Sequence, residues 1–216
     1  MKKLLVIAGP SAVGKTTVSD EIIKQNAKFA LSRSATTRAP RGDLHDSEYV
    51  YMTREEFAAA IASGDILEHT EYSGELYGTP RSEIDRILAE GGMPMLILDL
   101  AGVASLRASA LSEDCLFVYL YDELNTLEER LYARYMTPPS IEGLTKFVAR
   151  KEQNIADYLC FDKHAPLFDL MLSNAQPVAD TAAGIIAAMS EIPEFDKAAL
   201  VADFYAMADE KMPKKG

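Results

Sequence analysis

The chain has 216 residues, 48% of them hydrophobic and 25% charged, which suits one sizeable core carrying small inserted subdomains. Its 33 acidic against 22 basic residues give a net charge of −11, arguing against general affinity for nucleic acid or an anionic membrane. Any phosphate-binding cations must therefore be concentrated locally.

The first element expected is a short buried strand, Leu4 to Ala8, followed by a loop of small residues and then a helix over Lys15–Gln25 with Val18, Ile22 and Ile23 on one face. Lys2-Lys3 before the apolar run has the look of a signal peptide, but the run is too short and enters the loop directly. The segment LLVIAGPSAVGKTT satisfies G-x-x-x-x-G-K-[ST] through Gly9, Gly14, Lys15 and Thr16. Glycines are needed there because main-chain N–H groups must point inward around phosphate oxygens, where Cβ atoms would obstruct them. The following helix adds the positive end of its dipole. Lys15 is placed to reach the β- and γ-phosphates of a nucleoside triphosphate, and the Thr16 hydroxyl to hold Mg²⁺.

Residues 33–51 have a different texture, with Arg33, Arg38 and Arg41 set among Ser34, Thr36 and Thr37. This is either a solvated loop or a cluster of forked donors for a second phosphate. Thr53-Arg54-Glu55-Glu56 is a capping box opening a helix that Gly64 ends. Residues 66–78 suggest a hairpin around Ser73-Gly74, and Thr79-Pro80 the start of another helix that Gly91-Gly92 stops. A small mixed α/β insert is thus expected over 33–92.

Met95 to Asp99 is an apolar run ending in a carboxylate, as at the tip of a parallel strand facing a ligand. Asp99 is either a Mg²⁺ ligand or the cap of a helix near 102–111. Cys115 to Tyr121 is a further buried strand, and helix 123–134 carries Arg130 and Arg134 on one face. Thr137-Pro138-Pro139-Ser140 separates it from a second basic helix, Glu142 to Leu159, containing Lys146, Arg150 and Lys151. The pair is either a mobile cover over phosphates or a solvated helical hairpin. Phe168 to Ser173 is the last strand, followed by Asn174, a helix near 178–190, another near 195–210 and a basic tail, PKKG. Alternating strands and helices imply an α/β protein with a central parallel sheet covered on both faces. Cys115 and Cys160 lack metal-ligand spacing and are expected as packing residues in a reducing, cytoplasmic setting.

Several stretches together carry a resemblance: SATTRAPR (34–41), Glu48-Tyr49, Gly64-Asp65-Ile66-Leu67-Glu68 and Ser73-Gly74-Glu75-Leu76-Tyr77-Gly78-Thr79. In order and spacing these resemble elements of the guanylate kinase family of P-loop nucleoside monophosphate kinases. The resemblance implies an ATP site built from Gly9, Ser11, Ala12, Val13, Gly14, Lys15, Thr16 and Thr17, with Arg130 and Asn174. It implies that Arg38, Arg41, Tyr49 and Tyr77 hold the phosphate of GMP, that Glu68 accepts the guanine N1–H and N2–H₂ groups, and that Ser34 and Thr79 donate to O6 and N7. Thr16 and Asp99 would hold Mg²⁺, and Lys15, Arg134 and Arg150 would stabilise the transferring phosphoryl group. The implied organisation is a P-loop core over 1–32, 93–134 and 160–190, a GMP-binding subdomain over 33–92, a lid over 135–159 and an extension over 191–216.

The chain also departs from that pattern. Ile97 stands where the family usually has the first Asp of D-x-D, Asp43 stands for Glu in a slightly shortened loop, the lid is longer with an unfamiliar Pro-Pro, and the extension has no counterpart. Three functions follow: a kinase for GMP or dGMP, a kinase of the same fold for another nucleotide or a sugar phosphate, and a non-catalytic interaction module. Lys15, Thr16 and Arg134, all present, weigh against the last.

Overall fold

A computed structural model describes residues 2–40, 42, 44–72 and 74–211. Arg41, Asp43, Ser73 and the PKKG tail, all singled out in the sequence, lie outside the described residues. In chain order, β1 (Leu4–Ala8) leads into α1 (Lys15–Gln25), followed by β2 (Phe29–Leu31), β3 (Ser34–Thr36), β4 (Tyr49–Tyr51) and α2 (Arg54–Ser63). The hairpin β5 (Ile66–Tyr72) and β6 (Glu75–Pro80) precedes α3 (Arg81–Ala89), β7 (Met93–Ile97) and α4 (Leu100–Arg107). The remainder comprises β8 (Cys115–Tyr121), α5 (Leu124–Tyr135), α6 (Ile141–Leu159), β9 (Leu170–Ser173), α7 (Val178–Ala188) and α8 (Lys197–Lys211).

Five strands form a parallel sheet in the order β2-β7-β1-β8-β9. β1 lies at its centre, with Leu5 registered against Met95 on one side and Leu116 on the other. All five β1 residues are buried, because helices cover both faces, which is why the run is continuously apolar rather than alternating. The strand order switches sides at β1, from β7 on one side to β8 on the other, so the carboxyl ends of β1, β7 and β8 open onto a crevice. The phosphate loop occupies the β1 end.

A second sheet, β4-β3-β6-β5, has its own small core of Ala35, Phe57 and Ile66 with Met52, Ile61 and Leu76 around it. α2 starts with the expected capping box, in which Thr53 accepts the Glu56 N–H and the Glu56 carboxylate accepts the Thr53 N–H. α4 packs against β5 and so joins the two sheets at the crevice.

Three local expectations change. Thr79-Pro80 completes β6, and the helix begins one residue later at Arg81. The helix after β7 starts at Leu100, because Asp99 accepts the Gly102 N–H at 2.7 Å and acts as its N-cap. Cys115 is buried as expected, its thiol pushed up to about 12 by burial, but Cys160, just past α6, is exposed.

The extension is part of the core. Phe204 of α8 is fully buried, stacks on Tyr158 of α6 at 4.4 Å between ring centres, and meets Phe161 at 4.9 Å. Tyr119 of β8 lies under the same rings, 4.3 Å from Phe161. Among the described residues no helix is long and apolar enough to cross a membrane. Phe204→Ala should destabilise the protein by about 3–5 kcal/mol, since the rings around it cannot collapse into the space. Equilibrium urea unfolding measures this; a loss below about 1 kcal/mol would mean that α8 is only loosely attached.

Candidate active site

The loop between β1 and α1 is held open by its own backbone. Gly9 has φ +154°, and a Cβ there would approach the Leu120 carbonyl oxygen to 2.4 Å. Ala12 takes the left-handed conformation at φ +68°, an unfavourable choice for a residue with a side chain and typical of loops that turn amides inward. Asn174, at the tip of β9, supports the loop from behind: its Nδ2 donates to the Val13 carbonyl at 2.7 Å and its Oδ1 accepts from Thr181 at 3.1 Å.

Lys15 lies deep in this loop and donates to the carbonyls of Gly9 at 2.8 Å and Pro10 at 3.0 Å. Burial lowers its pKa to about 8, with the nearby Arg150 and Arg134 pushing the same way and Asp157 opposing them. A cavity of about 440 Å³ spreads in front of the loop, lined by Gly14, Lys15, Thr16 and Thr17 and by Arg130, Arg134 and Arg150. Arg130, Arg134 and Arg150 thus share one space, whereas Lys146 pairs with Glu142 and Lys151 with Glu128. Arg130 also contacts the Ala12 carbonyl at 3.4 Å and the buried Asp122 carboxylate at 3.0 Å. Arg134 lies against the Tyr135 ring at 5.5 Å.

A second cavity, about 510 Å³, runs from Lys15 and Arg150 past Ile97 to Asp99. Its far wall is α6, which presents Gln153 and Asp157 as well as Arg150. Gln153 donates to Asp157 at 2.7 Å, and burial holds the Asp157 carboxyl above its ordinary value. Sequence reasoning missed both residues, although 150, 153 and 157 are spaced to share one helix face.

Beyond Ile97 the crevice reaches the second sheet. Ser34, Glu68, Thr70, Tyr77, Ile97 and Asp99 line a small pocket there, while Thr16, Ser34, Tyr49 and Ile97 line an adjoining one of about 370 Å³. Glu68 is 6% exposed and accepts the Thr79 hydroxyl at 2.6 Å. The single hydroxyl proton of Thr79 is therefore spent on orienting Glu68 rather than offered to a ligand. Burial raises the Glu68 pKa, and the neighbouring Asp99 adds to the rise. The two carboxylates are close enough that a Cβ at Gly102 would meet Glu68 Oε2 at 2.8 Å and Asp99 Oδ1 at 3.4 Å.

The arginine cluster divides. Arg38 lies over the Tyr49 ring at 5.1 Å and donates to the Tyr51 hydroxyl at 3.4 Å; Tyr49 in turn meets Tyr77 edge-on at 6.2 Å. Tyr51, which also donates to Asp46, went unnoticed in the sequence because a three-residue strand has no readable period. Arg33, at the edge of the pocket formed by Thr16, Ser34, Tyr49 and Ile97, grips Glu83 of α3 through Nε and Nη2. Arg33 and Arg86 hold the Glu83 carboxyl down to about 2, so the pair is structural and persists until strongly acid pH. Here the solvated-loop reading is replaced by an ion pair between the half-exposed Arg33 and the buried Glu83.

Among the described residues no group of three or more His, Cys, Asp or Glu could hold a metal ion. Mg²⁺ does not require one, because it takes most of its ligands from phosphates and water. Thr16 on the loop and the remaining oxygen of Asp99 fit that sparse demand.

A five-stranded parallel sheet with a phosphate loop at its central strand, faced by a small second sheet, defines a P-loop kinase of the α/β class. The guanylate kinase family profile matches residues 1–197. The guanylate kinase of Cereibacter sphaeroides is 33% identical over 175 residues, spanning 80% of this chain and 82% of the relative. That of Thermosynechococcus vestitus is 36% identical over 173 residues, spanning 80% and 85%. The crystal structure of guanylate kinase from Anaplasma phagocytophilum shares the fold, with a TM-score of 0.59 at 22% identity over 89% of this chain and 87% of that one. The chain belongs to the guanylate kinase family.

Because Lys15 must be protonated to meet phosphate, kcat/KM for ATP should fall as pH rises through about 8. A pH profile checks this; a flat limb up to pH 9.5 would show that the buried amine keeps its proton far better than its surroundings suggest.

Proposed function

We propose that the protein transfers the γ-phosphoryl group of ATP to GMP, giving ADP and GDP, as its family membership indicates. The observation that carries the acceptor's identity is Glu68: a buried carboxylate, fixed by Thr79, at the end of a crevice that begins at Lys15. A carboxylate there accepts the N1–H and N2–H₂ pair of guanine, whereas adenine presents an N1 lone pair and is repelled. Ser34, which lines the same pocket, can donate to the opposite edge.

In this reading the first sheet serves ATP, residues 33–92 serve GMP, and 135–159 cover the phosphates. Arg38, with Tyr49 and Tyr77, holds the GMP phosphate, and Arg41 belongs to the same set by its place in the motif. A phosphate oxygen of GMP attacks the γ-phosphorus in line as the bond to the ADP oxygen breaks. No side chain needs to take a proton, since the attacking oxygen is already anionic. Catalysis is then positioning and neutralisation of charge. The loop amides and Lys15 grip the triphosphate, and Arg134 and Arg150 meet the charge spread over the equatorial oxygens. Thr16 and Asp99 would hold Mg²⁺ accompanying ATP, which screens the phosphates from one another when bound.

Ile97 favours a second reading. An apolar side chain sits where the triphosphate cleft meets the acceptor pocket, so the acceptor could be another nucleotide or a sugar phosphate. Coupled measurement of ADP release with Mg·ATP and GMP, dGMP, AMP, CMP, UMP or sugar phosphates separates the two. Stimulation by GMP, with or without dGMP, is expected; stimulation only by another acceptor selects the second reading. Glu68→Gln should weaken GMP discrimination by about 1–3 kcal/mol, because an amide N–H then faces guanine N–H groups. The same change should raise the melting temperature at pH 7, since it removes a buried charge whose pKa is raised in the folded state. An unchanged GMP-to-AMP ratio would show that guanine is read elsewhere.

A further inference from the structure

Asn154 is a polar residue in the middle of α6, only 2% exposed, and its whole amide is directed at one residue of the phosphate loop. Its Oδ1 accepts the Ser11 N–H at 2.8 Å and its Nδ2 donates to the Ser11 carbonyl at 3.1 Å, so both main-chain groups of Ser11 are engaged across 143 positions of sequence. We propose that Asn154 is a positioning residue for phosphoryl transfer, clamping the phosphate loop to α6 so that Arg150, one turn earlier on that helix, stands in register over Lys15. This inference rests on the kinase reading and adds a residue to it.

The surroundings make the clamp a fixed point rather than one contact among many. One turn beyond Asn154, the Tyr158 hydroxyl donates to the Asp122 carbonyl at 2.7 Å and the ring stacks on Phe204. Beside Asn154, Lys151 pairs with Glu128 of α5 at 2.6 Å, and the same carboxylate takes Lys211 of α8 at 2.7 Å. Toward its start α6 is far less held, with Ile141 87% and Leu144 48% exposed. Arg150 therefore lies at the junction between the anchored and the exposed parts of the helix. The Ser11 N–H, expected to serve ATP, is committed to the clamp, leaving phosphate to the amides nearer Lys15.

The decisive experiment is a double-mutant cycle on Asn154→Ala and Arg150→Ala, read by steady-state kinetics and by calorimetric binding of a non-hydrolysable ATP analogue. Asn154→Ala should lower kcat about ten- to hundredfold, as small misplacements of reacting groups do, with KM for GMP changed less than about twofold. In the Arg150→Ala background its further effect should shrink below about threefold. Asn154→Asp, which keeps the volume and the acceptor but sets a carboxylate against the Ser11 carbonyl, should reproduce the loss. Additive effects, or kcat unchanged with only a lower melting temperature, would overturn the proposal. Amide exchange on the unmodified protein is a check that does not depend on a variant folding: the Ser11 N–H should be protected, and rapid exchange would also overturn it. Should no acceptor stimulate ADP release, the kinase reading fails by itself. The clamp is then judged on the ATP analogue, whose affinity should drop at least about fivefold in Asn154→Ala and whose constancy would count against it.

Discussion

The controlling constraint is electrostatic: a protein carrying a net charge of −11 must present a concentrated positive surface to two polyanions that would otherwise repel it and each other. It does so by bringing Lys15, Arg130, Arg134 and Arg150 from three helices to one cavity. Crowded cations would push each other out of the site without counter-charges, and these are supplied from behind. Asp122 takes Arg130, and Asp157 offsets the arginines around Lys15. Burial first and the arginines second depress the pKa of Lys15, leaving an amine that gains from the arrival of phosphate.

In the proposed reading the second sheet solves a different problem, the choice of acceptor. Glu68 is kept buried and oriented by Thr79 at a cost to its own ionisation, and Asp99 increases that cost. A carboxylate pair held this way gains from any further hydrogen-bond donor that reaches it. Ile97, between the two halves of the crevice, adds no third carboxylate beside Glu68 and Asp99. The altered strand tip is therefore compatible with Glu68 and Asp99 lying so close.

What could be read in the chain follows the range of the signal. The loop Gly9–Thr17 and α1 were legible because one contiguous motif needs left-handed glycines, an amide nest and a helix start in sequence. The hairpin β5–β6 was legible from its Ser73-Gly74 turn and the strand β8 from its continuous apolar run. β2, β3 and β4, at three residues each, were not, since too few side chains alternate to show a period. Asn154 and Asp157 looked like ordinary helix residues, and only the fold brings them to the loop. The fate of Arg33 was equally hidden, because its partner Glu83 is 50 residues away. The extension has no counterpart in the family pattern, yet Phe204 completes the ring cluster around Tyr119.

The two thiols sit in contrasting settings. Cys115 is sealed within β8 with its proton tightly held, whereas Cys160 is open to solvent immediately after the last turn of α6. Alkylating reagents should thus discriminate between them without any engineering, and a dye coupled at the accessible sulfur would sit beside the anchored end of the arginine-bearing helix. The unmodified sequence thus offers a single accessible thiol beside the end of α6 that is anchored to the phosphate loop.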